Sequence, residues 1–209
     1  MRTFAFCIVV FLTLTAPARA VVIDFQSLET AINGQSVVNP STKTYTEKGF
    51  TFSSSSTQFN LAVWGTLHAN YLGSTALWNG DGTGVSGITT LTKVGGGAFD
   101  LLSIDLGELR MDLSFLGGAS VTFNAIFQGG GAISQTFNLD GTMITNNTSS
   151  FETFNFSGFN KVVSVSWLQV SPYHQFDNVT IRTVSPVPIP AIFPIFAAVM
   201  GLFGFVGWR

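Results

Sequence analysis

Ser120-Val121-Thr122-Phe123-Asn124-Ala125-Ile126-Phe127 sets apolar residues at every second position along a full strand length. Successive side chains of an extended chain point to opposite faces. Val121, Phe123, Ala125 and Phe127 therefore share one face, with Thr122 and Asn124 on the other. The same alternation recurs on both sides of this stretch. Phe50 and Phe52 lie opposite Thr51 and Ser53, and Val163, Val165 and Trp167 lie opposite Ser164 and Ser166.

Working outward, nine β-branched or aromatic runs stand between Gly-rich or Ser/Asn-rich breaks. They begin at Val21, Gly49, Leu61, Phe99, Ser120, Ile133, Phe151, Val162 and Phe176. No window between Val21 and Val187 carries a helical period, and no internal repeat suggests a solenoid. The expectation is an all-β domain over residues 21–184, an antiparallel β-sandwich of the jelly-roll kind, with a single barrel as the competitor. The stretch from Gly65 to Gly97 is rich in Gly, Thr, Ser and Asn and reads as loop with one or two short strands. Loops carried on a rigid sandwich are common ligand sites.

Charge is sparse. Between Val21 and Val187 six Lys/Arg face eleven Asp/Glu, a balance that argues against nucleic acid and against anionic membrane surfaces. The one cysteine, Cys7, falls in the first hydrophobic stretch, so the domain has no disulfide and no thiolate chemistry.

Both ends are hydrophobic. Arg2 precedes an apolar run from Phe4 to Leu14, then Pro17, then Ala18-Arg19-Ala20 with small residues at the positions a signal peptidase reads. Residues 1–20 are expected to be a cleaved signal peptide, because the apolar run is too short to span a bilayer. At the other end, residues 189–208 are uncharged, long enough as a helix to cross about 30 Å of hydrocarbon.

Val187-Pro188-Ile189-Pro190-Ala191 opens that tail and Arg209 closes it. The segment 185–209 resembles the PEP-CTERM sorting signal of Gram-negative bacteria in its VPLPA-like variant, with Ile189 between the prolines and a basic finish reduced to one residue. The resemblance implies an exosortase-type processing protease as partner. It also implies export to the cell envelope, outer surface or extracellular matrix, with membrane association through the tail before processing, often beside exopolysaccharide. A permanently retained single-pass anchor is the alternative.

The domain resembles, more loosely, carbohydrate-binding, galactose-binding-like jelly rolls. The segments carrying this are Val22-Ile23-Asp24-Phe25, Gly49-Phe50-Thr51-Phe52, Phe99-Asp100-Leu101-Leu102 and Phe176-Asp177-Asn178-Val179, in that order. In such relatives an acid near the first strand and one on the last can hold a structural calcium, which implies Asp24 and Asp177 as ligands; hard cations take six to eight oxygens.

Trp64, Tyr71 and Trp78 lie on the loop-rich stretch and form the candidate ligand surface, since apolar sugar faces pack on aromatic rings; Trp167 alternates with valines and reads as core. Asn79-Gly80-Asp81-Gly82 lacks the spaced acids of a calcium loop and reads as a turn. Only His68 and His174 are available to a nucleophilic triad, and Asp100 and Asp105 point to opposite sides of a strand. No catalytic residue emerges. The reading is a non-catalytic envelope or matrix protein binding exopolysaccharide; a secreted glycan-acting hydrolase is the alternative.

Overall fold

The computed structural model describes residues 19–55, 60–80, 87–109, 120–141, 151–169 and 173–183. They all belong to one unit, Arg19–Val184; the other unit, Met1–Ala18 with Ser185–Arg209, lies outside the described residues. So do the sorting motif Val187 to Ala191, Arg209, Ala18 of the peptidase site and the hydrophobic stretch 189–208. Among the described residues no helix is long and apolar enough to cross a membrane.

The described residues form thirteen strands and one short 3-10 turn, Gln26–Leu28. The strands are β1 (Ala20–Ile23), β2 (Gln35–Val38), β3 (Thr44–Glu47), β4 (Phe50–Ser54), β5 (Leu61–Trp64), β6 (Leu77–Asn79) and β7 (Gly87–Lys93). They continue with β8 (Phe99–Glu108), β9 (Ser120–Phe127), β10 (Ala132–Asn138), β11 (Glu152–Asn155), β12 (Val162–Gln169) and β13 (His174–Thr183). All pairings are antiparallel. The expected all-β antiparallel class is what the chain adopts.

The pairings make two layers. The first runs β2-β5-β6-β13-β8-β11, with β1 on the second half of β13. The second runs β3-β4-β7-β12-β9-β10. A single pair, Val162 with Phe99, carries the ladder from one layer to the other.

Alternation explains which faces meet. In β9, Val121, Phe123 and Ala125 are buried while Thr122, Asn124 and Ile126 are exposed. Phe52 and Trp167 from the second layer meet Phe176 from the first, at ring-centroid distances of 5.7 and 4.9 Å. Such ring pairs add about 0.5–1.5 kcal/mol beyond the area they bury. Phe25 lies in the same nest, 5.3 Å from Phe52 and 5.7 Å from Phe176. Its φ of +53° is uncommon for a bulky residue, and burial among the rings holds it there.

Four strands lie outside the nine expected runs, two of them, β6 and β7, being the one or two short strands expected between Gly65 and Gly97. β2 and β3 are four-residue strands at the layer edges, and β6 and β7 fall within the Gly65 to Gly97 stretch. β7 is central to the second layer, between β4 and β12, because Leu91 supplies a fully buried side chain on its inner face. The first strand also ends early, at Ile23, where Phe25 turns the chain into the 3-10 segment.

Candidate functional site

The outer face of the first layer carries the candidate ligand residues. In β5, Leu61 and Val63 face the core, which turns Ala62 and Trp64 outward; in β6, Leu77 faces inward and Trp78 outward. Ala62 lies opposite Trp78 in the ladder, and so small a side chain leaves room for the indole. Trp64 stacks on Trp78 at 5.1 Å and 4°, and His68 stacks on Trp64 at 4.1 Å and 14°. The result is a three-ring ladder standing off the sheet.

Only its upper end is accessible. Trp78 is 1% exposed, with Trp64 over one face, so it acts as a foundation and offers no free ring. Trp64 and His68 are half-buried. Among the described residues neither indole N–H, at Trp64 or Trp78, has a hydrogen-bond partner, an uncompensated cost of about 1–3 kcal/mol each. Trp167 is part of the core between the layers.

The loop after β5 brings His68 over Trp64. Gly65 N–H donates to the Gly34 carbonyl, Thr66 N–H to Thr30 and Leu67 N–H to Ile32. A Cβ at Gly65 would collide with the Ile32 carbonyl, so only glycine lets the two segments approach this closely. Asn70 N–H donates to His68 Nδ1 at 3.1 Å and fixes the ring plane. Gln175 Nε2 on β13 donates to the buried Asn70 carbonyl at 3.0 Å. Tyr71 is in the same loop, its hydroxyl donating to Glu29 at 3.1 Å. Trp64 and Trp78 are thus brought together, with His68 added, a residue that nothing local in the sequence marks, while Tyr71 is held by Glu29 and no ring contact joins it to them among the described residues.

Asp177 anchors the far end of this loop. Its Oδ2 accepts from Ser74 Oγ at 2.5 Å and its Oδ1 from Asn178 N–H at 2.7 Å. Burial pushes the carboxyl up to about 6; the Ser74 and Asn178 hydrogen bonds oppose this, and the Asp105 and Asp24 charges add to it. Gln26 Nε2 bridges from the Asp24 carbonyl (3.1 Å) to Ser74 Oγ (2.8 Å), so Asp24 and Asp177 sit on one network. The Asp24 side chain itself pairs with Lys48 at 3.2 Å. Among the described residues no group of three or more His, Cys, Asp or Glu is spaced to hold a metal ion. A calcium on Asp24 and Asp177 would therefore draw most of its oxygens from carbonyls, amides and water.

Asp100 and Asp105 have structural partners, whereas the buried His174 Nε2 has no hydrogen-bond partner among the described residues. Asp100 meets Arg182 at 2.7 Å and accepts from Lys161 N–H. Asp105 accepts from Thr153 and from Asn178. His174 is 1% exposed, its carbonyl accepting from Gln169 Nε2 at 2.6 Å, and burial pulls its pKa down to about 3. Ala20 of the expected peptidase site pairs with Arg182 at the start of β1.

A second concavity lies at the edge of the sandwich. Between β2 and β3, a groove of about 420 Å³ is lined by Leu28, Ser36, Val38, Thr44, Tyr45 and Val63, among others. Tyr45 is fixed from below: its hydroxyl donates to Glu47 at 2.9 Å and lies 2.8 Å from Ser27 Oγ.

No family model and no curated protein matches the chain. Among solved structures, a carbohydrate binding module of family 29 is 10% identical, with 84% of this chain and 99% of that chain covered at a TM-score of 0.39. The enzymatically active domain of a bacteriophage tailspike protein is 12% identical, with 65% of this chain and 20% of that chain covered at a TM-score of 0.37. An arabinose-bound α-L-arabinofuranosidase is 12% identical, with 77% and 29% covered at a TM-score of 0.34. At these scores the likenesses are loose, and neither a ligand nor a chemistry follows from them.

Proposed function

We propose that this chain is an exported, non-catalytic envelope or matrix protein that holds exopolysaccharide on the outer face of its first layer, after sorting through its tail by an exosortase-type protease. The ring ladder His68–Trp64–Trp78 carries the reading. The stack is founded on Trp78, buried in a second apolar cluster with Ala62, Leu109 and Tyr173, and a loop pinned by Gln175 and Asp177 lays His68 at its outer end. A sugar packing on the outer face of His68, the end ring of the stack, buries its apolar face there. The low charge and the tail's resemblance to sorting signals favour the same compartment.

Co-sedimentation of the full-length protein with neutral and anionic matrix polysaccharides tests this. Trp64→Ala and His68→Ala are each expected to weaken retention about tenfold, or about 1.4 kcal/mol. Retention unchanged in both variants would remove the ladder from the account. Mass spectrometry of the mature C-terminus tests the sorting: loss of Arg209 supports processing, and an intact Arg209 supports a permanent anchor. One observation favours the hydrolase alternative, the raised Asp177 carboxyl beside Asp105. Turnover of a polysaccharide pool that disappears in Asp177→Asn would establish it.

A further inference from the structure

The sandwich has two long open sides, where edge strands of the two layers face each other. Between β10 and β11 the gap is closed by Phe137, Phe154 and Phe156. Between β2 and β3 it is not, and the groove there lies in the size range of about 300–1,000 Å³ typical of ligand sites. Its floor is apolar, with Val38, Val63 and the Tyr45 ring all buried. Its rim is hydroxylated, by Ser36, Thr44 and Thr46. Among the described residues that line it there is no Asp, Glu, Lys or Arg.

We infer that this groove binds one or two units of an uncharged glycan, apolar sugar face against Leu28, Val37 and Val38 and hydroxyls toward Ser36, Thr44 and Thr46. The choice of a glycan rests on the proposed function; the site is separate from the ring ladder. Charge selects among glycans. Among the described residues nothing cationic lines the groove to meet a uronate or sulfate, and Glu47, hydrogen-bonded to Tyr45 below it, is neutralised by Lys48 at 3.0 Å. An added peptide strand fits poorly. β2 and β3 have four residues each, and left-handed turns at Asn39, Lys43 and Lys48 (φ +42°, +54° and +48°) close off their ends.

Calorimetric titration of the full-length protein in detergent, with neutral trisaccharides from glucan, mannan and galactan and with trigalacturonate, tests the inference. At least one neutral trisaccharide is expected to bind, and trigalacturonate is not. Ser36→Trp, which fills the groove from its rim, is expected to weaken that binding at least about tenfold, or about 1.4 kcal/mol. It should leave polymer retention through Trp64 intact. Thr46→Trp, at a more exposed position, serves the same purpose if Ser36→Trp does not fold. Trisaccharide binding unchanged in the groove variants, or tighter binding of trigalacturonate, overturns the inference. Polymer retention that depends on Trp64 while no trisaccharide binds also overturns it and leaves the proposed function standing. Failure of every glycan, polymer and trisaccharide alike, removes both.

Discussion

The two open sides of the sandwich solve the same problem in opposite ways. At β10 and β11, Phe137 stacks with Phe154 at 4.8 Å and with Phe156 at 5.2 Å, and Phe156 reaches Phe159 at 4.7 Å. Gln135 ties the layers together across that gap, donating to the Asn155 carbonyl and accepting from Ser157 N–H. At β2 and β3 the layers meet over valines, serine and threonines, and among the described residues Tyr45 is the only aromatic one lining the space. The architecture permits either outcome. Side-chain volume along two short edges decides whether a sandwich is sealed or grooved.

The largest expected effect tests the sealed side. Phe156→Ala should lower unfolding stability by about 3 kcal/mol in urea denaturation, because three ring contacts and the filled gap go together. Ser36→Ala, on the grooved side, should stay within about 0.5 kcal/mol. Equal losses would erase the distinction. Enlargement sharpens it: Ile133→Phe should cost about 1–3 kcal/mol, since Ile133 is already pressed against Gly158. Ser36→Phe should cost nothing or gain up to about 1 kcal/mol by filling space, read on the same melts. Next in size is Tyr45→Phe, which removes the hydrogen bond to a carboxylate under the groove floor and should cost about 1.5 kcal/mol.

Below about pH 9 variants on either side should shift stability without changing its slope with pH, because Tyr45, pushed up to about 12 by burial, titrates only in alkali and the other buried groups that titrate lie elsewhere. Asp177, raised to about 6, binds more protons folded than unfolded between pH 4 and 6, so its contribution falls as pH rises through that window. His174, lowered to about 3, binds fewer protons folded, so its contribution is complete above pH 6.5 and is lost on acidification. The two slopes oppose each other. Asp177→Asn should therefore steepen the loss of stability below pH 6, measured by urea midpoints across pH. The smallest effect concerns calcium. With Asp24 paired to Lys48, a chelator is expected to leave Tm unmoved, and a Tm rise on adding calcium would mean that Lys48 yields its place.

Much of the fold was legible because it is local. The alternation at Ser120 to Phe127 specifies which side chains are buried, and the structure buries Val121, Phe123 and Ala125. β2 and β3 were not legible: four residues each, with polar neighbours, acquire strand geometry only from β5 and β4 beside them. β7 was obscured by the glycines around it, although Leu91 sits at the alternating position. At the candidate site the sequence grouped Trp64, Tyr71 and Trp78 by proximity along the chain. It did not show that Trp64 would cover Trp78, or that a tight approach at Gly65 would lay His68 on top. The groove belongs to topology alone, since its walls come from different layers.

β1 pairs with β13 from Ala20 onward, so the first strand of the domain finds its partner in the last. A nascent chain crossing a membrane would carry that opening segment unpaired until its final strand emerged. A peptidase acting between Ala20 and Val21 therefore has the whole of translocation in which to cut, and loses access once the domain closes. If a peptidase cuts between Ala20 and Val21, this connectivity requires the cut to come before β1 closes on β13.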